Sequence, residues 1–204
     1  MIIKTFVEPP IENNNYLVID EASKEAILID CSGNILENIK PVLKENNAKL
    51  KHILLTHGHF DHITGLDIEH DADVYMHSND AEWVEQLNQY LPMVGLPPMD
   101  VPKIDKFIND GDILKLGEKE IKVIHTPGHT QGGVCFLIDG NLFSGDTIFR
   151  ESIGRCDLPG GDFDQIIESI QDKIFTLPEN IVIYPGHGPK TSVGWEKENN
   201  SYFS

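Results

Sequence analysis

Thr56-His57-Gly58-His59-Phe60-Asp61-His62-Ile63-Thr64-Gly65 packs three histidines and one aspartate into six residues, His57 to His62, spaced HxHxDH. Imidazole nitrogens and carboxylate oxygens in such density form a metal-ligand set, suited to zinc, iron or manganese. No cysteine joins the cluster, which argues against a closed structural zinc knot. The segment follows the apolar run His52–Leu55, which reads as a strand, so the ligands sit in a loop at a strand's end.

Working outward, three later turns offer matching groups. Thr126-Pro127-Gly128-His129-Thr130 follows the run Ile121–Ile124, Ser144-Gly145-Asp146-Thr147 follows Leu142–Phe143, and Tyr184-Pro185-Gly186-His187-Gly188 closes Ile181–Tyr184. A single Gly-His turn is usually only a turn. Four strand ends all delivering His or Asp form a constellation.

The rest of the chain alternates short apolar runs with helix-period stretches. Further strands are predicted at Ile2–Val7, Tyr16–Ile19, Ala26–Ile29, Val74–Met76 and Val134–Ile138. Helices are predicted through Ile35, Ile39, Val42 and Leu43, over Ala81–Leu91, and through Phe163, Ile166, Ile167, Ile170 and Ile174. Asp80 and Asp162 stand where N-caps would. Pro92–Asp110, with four prolines, is predicted to connect two similar halves or to form a loop over a site. Each half would be a sheet with helices on one face, and packing the two gives an α/β sandwich.

HxHxDH at 57–62 followed by His129, Asp146 and His187 resembles the ligand set of the metallo-β-lactamase-fold hydrolases, in order and over nearly the whole chain. That resemblance implies a four-layer αββα sandwich formed as a single domain over residues 1–204. It implies two divalent metal ions, zinc foremost, with iron or manganese as alternatives. His57, His59 and His129 would hold one ion, Asp61, His62 and His187 the second, and Asp146 would bridge them. The segments THGHFDHITG (56–65), PGHTQGG (127–133), SGDTIFRESIGRCDLPGGD (144–162) and YPGHGPKT (184–191) are most similar to the glyoxalase II-like, hydroxyacylglutathione hydrolase-like branch. Full-length members of that branch carry a C-terminal helical domain that completes the thiol pocket. Only 17 residues follow His187, so that domain is expected to be absent.

Two divalent ions can activate a water between them and polarise a carbonyl, giving a hydroxide nucleophile without Ser or Cys. Asp61 is spaced to orient that hydroxide. A thiol of pKa near 8.5 leaves as thiolate, whereas an amide nitrogen must be protonated, and the motifs hold no dedicated acid. A small acyl thioester, S-lactoylglutathione-like or of another low-molecular-weight thiol, is therefore the expected substrate. The alternatives are a persulfide dioxygenase-like mononuclear iron enzyme on the residues matching His57, His129 and Asp146, then a lactonase or a non-catalytic metal-binding scaffold. Arg150 and Arg155, the only arginines, lie just after Asp146 and are candidates to bind an anionic substrate, against a plain reading as surface ion pairs. Asp157 stands where the branch's glutathione-contacting tyrosine would be.

Composition narrows the partners. The 204 residues carry a formal charge of −17, which argues against nucleic acid or an anionic membrane surface and leaves a small anionic molecule as the expected partner. No apolar stretch reaches about 18 residues, the N-terminus lacks a secretory pattern, and Cys31, Cys135 and Cys156 read as reduced thiols, so a cytoplasmic protein is expected. His52, His70, His77 and His125 fall outside the ligand pattern, although His125 could support His129. Trp83 and Trp195 read as packing residues, and Met93 and Met99 as edges of a pocket.

Overall fold

A computed structural model of the chain describes residues 1–9 and 11–203. Two six-stranded sheets are stacked with helices outside them, the expected αββα order. The first sheet runs, in spatial and chain order, β1 (Ile2–Glu8), β2 (Asn13–Asp20), β3 (Glu25–Ile29), β4 (Lys49–Leu54), β5 (Asp73–His77) and β6 (Lys106–Ile108). Helix α1 (Ile35–Asn46) makes the crossover between the parallel β3 and β4, and α2 is the short turn Phe60–Ile63. Two further short helices, α3 (Ala81–Glu85) and α4 (Leu87–Tyr90), follow β5.

The second sheet is built from β7 (Ile113–Leu116), β8 (Lys119–His125), β9 (Val134–Ile138), β10 (Asn141–Gly145), β13 (Val182–Pro185) and β14 (Thr191–Ser192). Its pairs are antiparallel except β10 with β13. A small hairpin of β11 (Ile148–Phe149) and β12 (Ser152–Ile153) stands apart, and α5 (Phe163–Ser169) and α6 (Val193–Asn199) complete the chain.

Period-two alternation decides which side chain faces which layer. Tyr16 and Val18 of β2, with Ile27 and Ile29 of β3, point into the core between the sheets, against Ile121, Val123, Phe136 and Phe143. Leu17, Ile19, Ala26 and Leu28 point the other way, onto Ile35, Leu36 and Ile39 of α1. On the far side Ile124, Cys135, Leu142 and Ile183 meet Ile166 of α5, with Ile170 and Ile174 in the wider turn that continues it. Sheets buried on both faces need apolar residues at both alternations, which is why these strands read as unbroken runs.

The observed strands extend the predicted runs by a residue or more at most ends, and β6, β7, β11, β12 and β14 have no predicted run of their own. The predicted helix Ala81–Leu91 is divided. Gln86 leaves helical dihedrals at φ −93°, ψ 8°, and a tight turn at Leu91–Val94 follows. Its buried face is nevertheless the periodic one, Val84, Leu87 and Leu91. Within Pro92–Asp110 the chain adds β6 to the first sheet and places Met93 and Val94 on a cavity wall. Among the described residues no helix is long and apolar enough to cross a membrane.

Candidate metal centre

Both sheets present strand ends at one edge of the sandwich. Asp30 follows β3, His57 to His62 follow β4, and Asp80 follows β5; on the other sheet His129 lies between β8 and β9, Asp146 follows β10, and His187 follows β13. All seven predicted ligands come together there. Ligand atoms of His57, His59 and His129 lie within 4.8 Å of one another, as do those of His57, His62 and Asp146, and those of Asp61, His62 and His187. Asp146 reaches both ends of the cluster: Oδ1 is 3.5 Å from His62 Nε2, while Oδ2 is 3.5 Å from His129 Nε2 and 3.6 Å from His187 Nε2.

Supporting hydrogen bonds decide which ring nitrogen is left for a ligand role. His129 Nδ1–H donates to the Arg155 carbonyl at 2.8 Å, and His62 Nδ1–H donates to Asp30 Oδ2 at 2.8 Å. The Thr56 hydroxyl donates to Asp30, so His57 Nδ1–H donates to Thr56 Oγ1 at 3.1 Å. Each ring therefore turns a lone pair on Nε2 toward the cluster. His57 Nε2 and Asp146 Oδ1 are buried without any hydrogen-bond partner. A buried acceptor left bare costs about 1–3 kcal/mol, and a cation would satisfy both atoms at once. The residues present therefore fit divalent metal.

The charge distribution has the same character. Burial, then the neighbouring imidazoles, pushes His57 well below its ordinary value and His59 down to about 3, so both are neutral donors at pH 7. Burial alone would favour the neutral acid of Asp61, but His62 and His187 hold its carboxyl well below the usual range. Burial also disfavours charge on His62, yet Asp30, Asp146 and Asp61 outweigh it and push it up to about 10. Without a metal, the acids recruit a proton onto His62.

Several residues that organise the centre escaped the sequence reading. Asp80, expected as a helix cap, makes no side-chain cap bond. Its buried carboxylate accepts instead from Gly58 N at 2.9 Å, Gly132 N at 2.6 Å and Thr130 Oγ1 at 2.8 Å, joining the loop of His57 and His59 to the loop of His129. The three donors are supplied by loops 22 to 52 residues away, which outcompete a local backbone N–H. Asp162 does cap as expected, accepting from Gln165 N. Asp30 holds a left-handed backbone, φ 58°, at the end of β3 and binds Thr56 N as well as His62. Asn13 Nδ2 lies 2.9 Å from His62 Nδ1, and Asn14 donates from its backbone to Gly186 O and from Nδ2 to Pro185 O and Gly188 O. The start of β2 thus holds the His187 loop of the opposite sheet. Gly186 is required by space: a Cβ there would stand 2.2 Å from Asp146 Oδ1.

The arginines separate. Arg155 lines the cavity beside the centre, where Asp157 holds its guanidinium with two bonds of 2.7 and 2.8 Å. Arg150 lies over the Trp195 ring, 5.0 Å from its centroid, and is not on the cavity wall. His125 does not contact His129; its ring stacks on His77 at 4.2 Å and bonds to Gln131 O. Trp83, expected as packing, stands edge-on to His59 with centroids 4.5 Å apart and faces the cavity with Met93.

The family model described as the metallo-beta-lactamase superfamily matches residues 9–187. The chain belongs to that superfamily. Its members are hydrolases that bind divalent metals, in keeping with the His/Asp cluster. A probable metallo-hydrolase of Streptococcus pyogenes is 38% identical over 99% of this chain and 90% of its own. The hydroxyacylglutathione hydrolase GloC of Haemophilus influenzae is 34% identical over 95% of this chain and 93% of its own. Among solved metallo-beta-lactamase structures, BLEG-1, titled a B3 metallo-beta-lactamase, superposes with TM-score 0.90 at 35% identity over the whole of both chains. TTHA1623 in a di-iron-bound form superposes with TM-score 0.85 at 32% identity over 98% of this chain and 99% of that one. Fold and branch thus agree with the resemblance carried by the motifs.

Proposed function

We propose that this superfamily member is a dinuclear metallohydrolase that cleaves acyl thioesters of low molecular weight. His57, His59 and His129 would hold one ion, Asp61, His62 and His187 the other, with Asp146 between them, zinc being the first metal to test and iron or manganese the alternatives. Divalent cations in such a pair supply an acidified water and a Lewis acid for the scissile carbonyl. The chain's own contribution is geometric and electrostatic. Asp30, Thr56 and the Arg155 carbonyl fix the imidazole tautomers, and Asp61, ionised far below neutrality, is an acceptor that orients the attacking water. Two carboxylates against two divalent ions leave local positive charge inside a chain of net −17.

The observation that carries the choice of leaving group is the cavity wall. Apart from the candidate ligands, the titratable side chains on it are Tyr90 and Arg155, and Tyr90 donates its hydroxyl to Gln86. Among the described residues of the wall, no carboxylic acid or imidazole outside the ligand set stands ready to protonate an amine, so a leaving thiolate, stable near neutral pH, suits the site.

The test is a panel of acyl thioesters, a lactone and a β-lactam offered to metal-loaded protein, with oxygen uptake on a persulfide recorded in parallel. Thioester hydrolysis without oxygen uptake is expected. Turnover of the β-lactam alone, the chemistry in BLEG-1's title, or persulfide-dependent oxygen consumption with one iron per chain would replace the thioester reading.

A further inference from the structure

The cavity above the metal centre measures about 840 Å³, within the range that encloses a drug-sized molecule and far more than a lactoyl group requires. Five of the seven candidate ligands, His59, Asp61, His129, Asp146 and His187, line it. Away from them the wall is apolar, formed on one side by Trp83, Leu87, Met93 and Val94 and on the other by Phe149 and Ile153. The chain carries 33 acidic residues, yet among the described residues the wall holds no carboxylate besides Asp61 and Asp146. The cation described there, Arg155, makes a two-bond pair with Asp157. At the mouth Met93 is 80% exposed, and Val94 and Ile11 are exposed as well. Large apolar side chains gathered at the rim of a catalytic cavity, rather than scattered, mark a surface that a ligand covers.

Charge complementarity decides what kind of ligand. A glutathione-like carrier brings two carboxylates and an ammonium, and away from the ligands the described wall meets these three charges with Arg155 alone, itself engaged by Asp157. An alkyl or aryl group loses nothing there and gains by leaving water.

We infer that the substrate's non-reacting part is an uncharged alkyl or aryl group of medium size, seated between Trp83, Leu87, Met93 and Val94 and the Phe149–Ile153 hairpin. This rests on the reading of the centre as thioester-cleaving, and it names the substrate class: a thioester with an apolar acyl or thiol group in place of a charged peptide thiol. The segment Trp83–Val94 is the specificity-determining wall, and the centre below it is indifferent to chain length.

The experiment separates this inference from the reading it rests on. Straight-chain carboxylates from acetate to octanoate are titrated calorimetrically into zinc-loaded protein, a measurement that needs no turnover. Affinity is expected to rise by about fourfold per methylene while the chain follows the wall. The double substitution Met93→Ser and Val94→Ser, at exposed positions, removes apolar surface without adding charge and is expected to flatten that slope. In parallel, kcat/KM is compared for acetyl to octanoyl thioesters of neutral N-acetylcysteamine, for acetyl esters of alkyl thiols, and for the same acyl groups on glutathione. A rise along the first series places the apolar group in the acyl chain; a rise along the second places it in the thiol. A flat carboxylate series, or glutathione thioesters preferred over neutral ones, overturns the inference while hydrolysis itself stands. A steep binding series with no thioester turned over keeps the apolar subsite and removes the thioester reading.

Discussion

Asp80→Ala is expected to loosen the metal centre without touching a ligand. Asp80 lies buried and accepts three hydrogen bonds, from Gly58 N, Gly132 N and Thr130 Oγ1. Each donor left unpaired in a buried site costs about 1–3 kcal/mol. Part of that is offset because burial already disfavours the Asp80 carboxylate, pushing its pKa up. The net loss is therefore set at about 3 kcal/mol, the lower end of the sum over three donors. Since the brace joins the loop of His57 and His59 to the loop of His129, apparent metal affinity should fall by roughly 10–100-fold, the usual effect of removing a group that orients ligands. Urea denaturation of the metal-free protein reads the first quantity, and competition with a chromophoric chelator reads the second. Thr130→Val removes one bond of the three and should lose about 1 kcal/mol. If Asp80→Ala leaves both the denaturation midpoint and the chelator competition unchanged, Asp80 does not brace the loops.

Asp30→Asn keeps the shape but weakens the acceptor for His62 Nδ1–H, and metal affinity measured by chelator competition is expected to drop by roughly tenfold or more. Gly186→Ala brings a methyl against Asp146 Oδ1, so the variant should fold, by circular dichroism, yet bind less metal by elemental analysis than the parent. Part of the pH dependence of the metal-free protein follows from His59, whose folded pKa of about 3 lies below its unfolded value near 6.5. The unfolded chain then binds more protons, so this contribution is intact above about pH 6.5 and is lost as the pH falls toward 3. A denaturation midpoint that holds steady through that window in metal-free protein, and shifts no more in His59→Gln, would contradict the buried, neutral imidazole.

The ligands were legible because their chemistry is rare and their spacing local: HxHxDH announces itself within six residues, and the Gly-His and Gly-Asp turns follow obvious apolar runs. The layers were legible for a related reason, since sheets buried on both faces leave unbroken apolar runs. The supporting residues were not. Asp80 sits one residue before a helix and looks like a cap, but its partners come from loops at Gly58 and at Thr130–Gly132. Asp30 looks like any aspartate in a turn, and its left-handed backbone and its reach to His62, 32 residues on, exist only in the folded chain. Asn13 and Asn14 are polar residues in a strand that would read as its frayed start, whereas they are buried against the His187 loop. Periodicity found the buried face of Ala81–Leu91 but had no means of saying that Trp83 and Tyr90, beside it, face a cavity that Leu87 also lines. The two arginines lie five residues apart and look alike in the sequence; Trp195 draws one away from the cavity and Asp157 pairs with the other.

The central claim is that seven side chains hold two ions that act together. Stepwise addition of zinc to metal-free protein, with hydrolysis of a neutral acyl thioester followed at each equivalent, tests it most directly. Two cooperating ions require a rate that climbs to a plateau at two equivalents, and for Asp146→Asn a rate that stays near background at any metal concentration. A plateau reached at one equivalent, or an Asp146→Asn protein as active as the parent, would contradict it.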